Sequence, residues 1–146
     1  MSNAAIVDEL VTFYGSGPLV PSRQQWQNLV ESEHAGSICM INFITFNEIA
    51  NYQDGTEASG MEAMMAYSEV SQKMVARVGG QFVAQGLMGS VIIGDDEQWD
   101  SIGIVRYPTR QAFIDLFSDP EYRSGHYHRI AACKKHRMVM LLDFDL

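Results

Sequence analysis

The sequence predicts an α+β domain with a four-stranded antiparallel sheet, preceded by a short helical extension. Three observations carry this prediction. After Gly36 the hydrophobic period changes, from a helical spacing to a near-continuous apolar run. From residue 37 onward the pattern reads strand, helix, strand, strand, helix, strand, the order of a split β-α-β unit. The first and last of these strands are apolar at both parities, so neither face of the sheet is made for water.

Each element has its own signal. Ala4 to Tyr14 sets Ile6, Val7, Leu10, Val11 and Tyr14 at helical spacing, and Gly15-Ser16-Gly17-Pro18 ends that helix. Pro21-Ser22 opens a second short helix with Trp26, Leu29 and Val30 on one side, stopped by Gly36. Ser37 to Phe46, rich in Ile and Phe, is expected as a strand buried on both faces. The polar stretch Asn51 to Ser59 leads into a helix over Gly60 to Val78, closed by Gly79-Gly80. Gln81 to Ile93 reads as the second strand, with Gly86 and Gly89 marking a bulge or bend, and Asp95-Asp96-Glu97 as the hairpin loop. Trp99 to Tyr107 alternates into the third strand, ended by Pro108. Thr109 caps a helix through Phe113 and Phe117, and Asp119-Pro120 restarts it as a helix reaching His136. Met138 to Phe144 is the last strand. This is the ferredoxin-like βαββαβ order, which divides the chain into a helical extension at 1–36 and a ferredoxin-like domain at 37–146.

Composition narrows the function classes. The 146 residues carry 18 Asp and Glu against 10 Lys and Arg, a net charge of -8. An acidic surface repels phosphate backbones and anionic membranes, so neither nucleic acid nor a membrane is an expected partner. The charge is unevenly spread: residues 1–105 hold 3 basic and 13 acidic side chains, residues 106–146 hold 7 and 5. Cys39 and Cys133 match no metal or redox spacing, and two isolated thiols in apolar surroundings suit a reducing cytoplasm. Asp8 and Glu9 give the N-terminus the wrong charge for a signal peptide, and Ser2-Asn3-Ala4 fits the remnant of an expression tag. The expectation is a soluble cytoplasmic protein.

The apolar second face of the sheet needs a cover. The N-terminal helices or another copy of the chain can supply it, and two sheets packed face to face make a closed dimeric barrel. A homodimer is the expected assembly.

With these elements in place, the chain resembles the dimeric α/β-barrel superfamily, nearest to an uncharacterised domain-of-unknown-function family of small bacterial proteins. The resemblance rests on Gly79-Gly80, Trp99-Asp100, Arg106-Tyr107-Pro108, Phe113, the Asp119-Pro120-Glu121-Tyr122 turn and His128-Arg129-x-Ala131-Ala132. It covers about three quarters of the chain and leaves the first 36 residues outside. It implies a homodimer with a pocket between sheet and helices in each subunit. More distant relatives include cofactor-free monooxygenases, dye-decolourising peroxidases and ring isomerases, so the fold alone leaves the chemistry open.

The densest functional composition is Tyr122, Arg123, His126, Tyr127, His128 and Arg129. On one continuous helix, Tyr122, His126, Arg129 and Cys133 share a face, bringing a phenol, an imidazole and a guanidinium together. Such a set holds a carboxylate or enolate and moves a proton near neutral pH. His126, His128 and Arg129 are therefore the candidate catalytic residues. Asp100 and Arg106 are charges in an apolar sheet, and Asn42 is a lone polar residue in the first strand. These three join Tyr67, Trp99 and Tyr122 as candidate ligand contacts, each with a plain structural alternative: ion pairing, an interface hydrogen bond or core packing. His126-x-His128 is metal-like on a strand but not on a helix, so neither a metal nor another cofactor is expected. Two function classes follow. One is a binding module for a small anionic or carbonyl-bearing metabolite beside Arg129 or Arg106. The other is a cofactor-independent enzyme, monooxygenase- or isomerase-like, with a histidine base and Arg129 stabilising an oxyanion. A structural barrel whose N-terminal helices dock a partner protein is the third option.

Overall fold

The computed structural model describes residues 1–144, and the last two residues of the expected 37–146 unit lie outside them. Two helices open the chain, α1 (Asn3–Tyr14) and α2 (Arg23–Glu31), the latter started by a reciprocal Ser22–Gln25 capping box. The order then runs β1 (Ile38–Phe46), α3 (Gly60–Arg77), β2 (Gln81–Leu87), β3 (Ser101–Tyr107), α4 (Arg110–Ser118), α5 (Pro120–Arg123), α6 (His126–Ala132) and β4 (Cys133–Leu142). The sheet is antiparallel with strand order β2-β3-β1-β4, the ferredoxin-like arrangement, and α3 to α6 lie over one face.

The helical extension shares the main core. Val7, Leu10, Tyr14, Trp26 and Leu29 pack in one cluster with Phe113, Phe117 and Tyr122. The Tyr14 hydroxyl donates to the Phe117 carbonyl at 2.7 Å, and Arg123 grips Glu9 with two bonds of 2.6 and 2.8 Å. The extension is thus tied to the helical layer, and the opposite face of the sheet keeps Ile41, Phe43, Ile102 and Ile104 only half-buried, with Leu141 47% exposed.

Smaller departures from the sequence expectation start β3 at Ser101 and not Trp99 and end β4 at Leu142 and not Phe144, and two larger ones have a physical reason. The second strand stops at Leu87 because the ladder ends at the Leu87–Ser101 pair, and residues 88–100 form the connection. The long helix expected to reach His136 is instead two short helices followed by a strand. The break falls at Gly125, where an added Cβ would sit 3.1 Å from the Val70 side chain, a tight approach to α3 that Val70 would have to yield by a few tenths of an ångström to admit. From Cys133 the chain pairs with β1 along its whole length, and that long-range ladder overrides the local helical pattern. Among the described residues no helix is long and apolar enough to cross a membrane.

Candidate functional site

Strand parity selects the residues beneath the helices. Met40, Asn42 and Ile44 of β1 face inward, and opposite them on β4 lie Met140, Met138 and His136. A bulge makes this possible. Phe46 pairs with Cys133 and Thr45 with Lys135, so one extra residue, Lys134, separates the inward Cys133 from the inward His136. Strict alternation from Cys133 would have turned Lys135 and Arg137 into the core. Above the sheet, α3 contributes Tyr67, α5 contributes Tyr122 and α6 contributes Arg129, which together enclose a cavity of about 160 Å³.

Arg129 is the buried charge of this site, 6% exposed. Its Nη1 donates to the Leu19 carbonyl at 2.7 Å and to His136 Nδ1 at 3.0 Å. Because the guanidinium has only protons to offer, Nδ1 must present its lone pair, and the imidazole proton resides on Nε2. That Nε2–H donates to Asn42 Oδ1 at 2.9 Å. Burial, and secondarily the charge of Arg129, hold His136 down to about 3, so the ring stays neutral. Among the described residues no carboxylate lies within ion-pair distance of Arg129, and no protein acceptor takes its Nε or Nη2.

The Tyr67 and Tyr122 hydroxyls are hydrogen-bonded to each other, and burial pushes both phenols up. Both stay protonated at neutral pH. Their mutual bond uses one proton and leaves the second free to donate. Among the described residues no Asp or Glu lines this cavity. The wall is therefore rich in donors, carries one positive charge and contains no competing carboxylate, a set suited to an anionic or carbonyl oxygen.

Of the residues singled out by sequence, Arg129, Asn42, Tyr67 and Tyr122 come together here. His126 and His128 do not line the cavity. The break at Gly125 rotates α6, so the one-face set Tyr122–His126–Arg129–Cys133 does not form as a helical row. His126 stacks edge-on against Tyr14 with ring centroids 4.9 Å apart, and burial there lowers it to about 4. His128 Nδ1 meets the Tyr52 hydroxyl at 2.5 Å, beside Tyr127.

Trp99, Asp100 and Arg106 lie away from the cavity as well. Arg106 alternates with the inward Val105 and Tyr107, so it faces outward and pairs with Asp143 at 3.0 Å. Trp99 packs on the outward Phe43 with centroids 5.7 Å apart and lies under Lys135 Nζ at 4.9 Å. The Asp100 carboxylate accepts the Phe46 amide at 2.8 Å, capping the end of β1. His136 is the residue that sequence reasoning missed. Its signal was Asn42: a polar residue facing the core from a central strand demands a polar partner on a neighbouring strand.

Comparison with known proteins agrees with the fold and leaves the chemistry unassigned. No curated protein matches the chain. The crystal structure of methylated RPA0582 protein is 34% identical with a TM-score of 0.82, over 88% of this chain and 96% of that one. RPA0582 from Rhodopseudomonas palustris, described as a protein of unknown function, gives 32% identity and 0.81 over 90% and 100%. SnoaB, a cofactor-independent oxygenase from Streptomyces nogalater, shares the fold at 14% identity and a TM-score of 0.51, over 77% and 97%. The family model described as Domain of unknown function (DUF1330) matches residues 55–142, more than half of the sequence. On that match and the ferredoxin-like topology, the chain belongs to the DUF1330 family.

Proposed function

We propose that the protein is a homodimer in which each subunit binds a small anionic or carbonyl-bearing metabolite at Arg129. The observation that carries this reading is a buried guanidinium with no carboxylate partner among the described residues. A buried charge without a counter-ion is costly, and a ligand oxygen in the 160 Å³ cavity supplies the missing acceptor. The free tyrosine proton beside it adds a second donor. Dimerisation through the outer face of the sheet covers Ile41, Phe43, Ile102, Ile104 and Leu141, which the N-terminal helices leave open. Two buried free thiols, Cys39 and Cys133, fit a reducing compartment such as the cytoplasm.

A second reading, a cofactor-independent enzyme, needs a base inside the cavity. His136 is the candidate, because its Nδ1 lies 3.0 Å from Arg129 and an anion bound there offsets the positive charge that, after burial, holds the ring's basicity down. Thermal-shift screening against a metabolite library tests the binding reading. Ligands that raise the melting temperature of the wild type should fail with Arg129→Ala, while unchanged stabilisation of that variant rejects the site. Turnover of a hit that is lost in His136→Asn, with binding retained, selects the enzyme.

A further inference from the structure

A second and larger cavity, of about 550 Å³, lies between residues 18–29 of the N-terminal segment and β4. It shares Met40, Phe113, Phe117, Arg129, His136 and Met138 with the inner cavity, so the two meet at Arg129. Resting on the reading of Arg129 given above, we propose that the two form one site for an amphipathic carboxylate. The head sits at Arg129, and a medium-chain alkyl or aryl body fills the outer chamber.

Size makes the first argument. Sites for organic ligands run from about 300 to 1,000 Å³. At 160 Å³ the inner cavity is large enough for a head group only, whereas 550 Å³ accommodates a body. The chamber wall makes the second. Leu19, Val20, Trp26, Leu29, Phe117 and Met140 make most of its lining apolar, and Gln25, Asn28 and Arg137 add polar groups beside Arg129 and His136, a wall suited to a largely apolar body. Charge makes the third: in a chain with 18 acidic residues, no Asp or Glu among the described residues lines either cavity. The bond from Arg129 Nη1 to the Leu19 carbonyl then has a function of its own, since it ties the chamber wall to the head-group charge at 2.7 Å. The N-terminal segment, outside the span of the family model, sets the length of ligand the site accepts.

The test uses the full chain with Trp99→Phe, which leaves Trp26 in the chamber wall as the single tryptophan of the two in the sequence. Acetate, hexanoate, decanoate and decanol are titrated by calorimetry and by Trp26 emission. Affinity should rise with chain length by up to about fourfold per added methylene, the ratio that corresponds to ~0.8 kcal/mol per buried CH₂. Decanoate, and not acetate, should change the Trp26 emission. Leu29→Trp, or Asn28→Trp at an exposed residue bordering the chamber, should weaken decanoate at least tenfold and leave acetate unchanged. If all lengths bind equally and depend on Arg129, the chamber is refuted and the head-group site stands. If decanol binds as tightly as decanoate and Arg129→Gln has no effect, the amphipathic ligand is refuted. Binding of no carboxylate at all overturns both readings together.

Discussion

Arg129 Nη1 donates to His136 Nδ1 across 3.0 Å, so a neutral imidazole occupies the position where a carboxylate would ordinarily meet a buried guanidinium. The histidine passes the constraint on to Asn42 through its Nε2–H, and the three residues join α6, β4 and β1. The charge is oriented by this network and is not neutralised by it.

A charge kept for a ligand contributes little to folding. Arg129→Met retains much of the stem volume and strands no carboxylate, but it leaves the Leu19 carbonyl and His136 Nδ1 without their donor, so removal of the buried charge should hold the loss to about 1–3 kcal/mol in urea denaturation. A loss above about 3 kcal/mol would identify Arg129 as a structural brace instead.

The buried histidines predict a pH slope with a definite sign. His136 is held down to about 3 and His126 to about 4, whereas histidine in an unfolded chain titrates near ~6.5. Between those values the unfolded chain binds protons that the folded chain refuses. Stability is therefore full above ~6.5 and falls as pH drops below it, by about 1.4 kcal/mol per unit for each histidine. Urea denaturation between about pH 7.5 and pH 5 stays above most carboxylate titration and should show this loss. His136→Asn should remove roughly half of the slope. An unchanged slope would mean that His136 protonates freely in the folded state.

Assembly is tested at an exposed position, where the fold of one subunit is not at stake. Leu141, on the outer face of β4, is 47% exposed. Leu141→Asp should convert a dimer into a folded monomer in sedimentation velocity, with unchanged far-ultraviolet circular dichroism. A wild-type protein that sediments as a monomer would remove the dimer from the account.

Two glycines give opposite outcomes. At Gly60, the first residue of α3, an added Cβ would fall 1.9 Å from the Asn47 carbonyl oxygen. Gly60→Ala must displace that backbone and should cost at least ~2 kcal/mol. Gly86 on the exposed β2 meets nothing within 4 Å, and Gly86→Ala should change stability by no more than about 0.5 kcal/mol. Paired thermal melts check both.

The element order was legible because hydrophobic period is a local signal and the periods here are clean: helical to Val30, near-continuous from Ile38, helical again from Gly60. The stretch from 124 to 137 was not legible. Lys134, Lys135, His136 and Arg137 suit a helix or a strand equally, and only pairing with β1, nearly a hundred residues earlier, decides between them. That one boundary hid the site. Placed on a helix, His136 has no relation to Asn42; placed on β4, it pairs with Ile44, the next inward residue after Asn42, and bonds to Asn42. Arg129 and Tyr122 stood out by composition, while Arg106 and Trp99 stood out equally and face the other side of the sheet. Composition marks unusual residues, and parity decides which of them meet.

The most direct measurement is a calorimetric comparison of benzoate with benzyl alcohol on the wild-type protein and on Arg129→Gln. If the buried, unpaired Arg129 is the anchor for an anionic head group, the wild type should prefer benzoate by at least about tenfold, equivalent to ~1.4 kcal/mol. That preference should vanish in the variant. Equal binding of the two probes to the wild type, or a preference for benzoate that survives Arg129→Gln, would contradict the account.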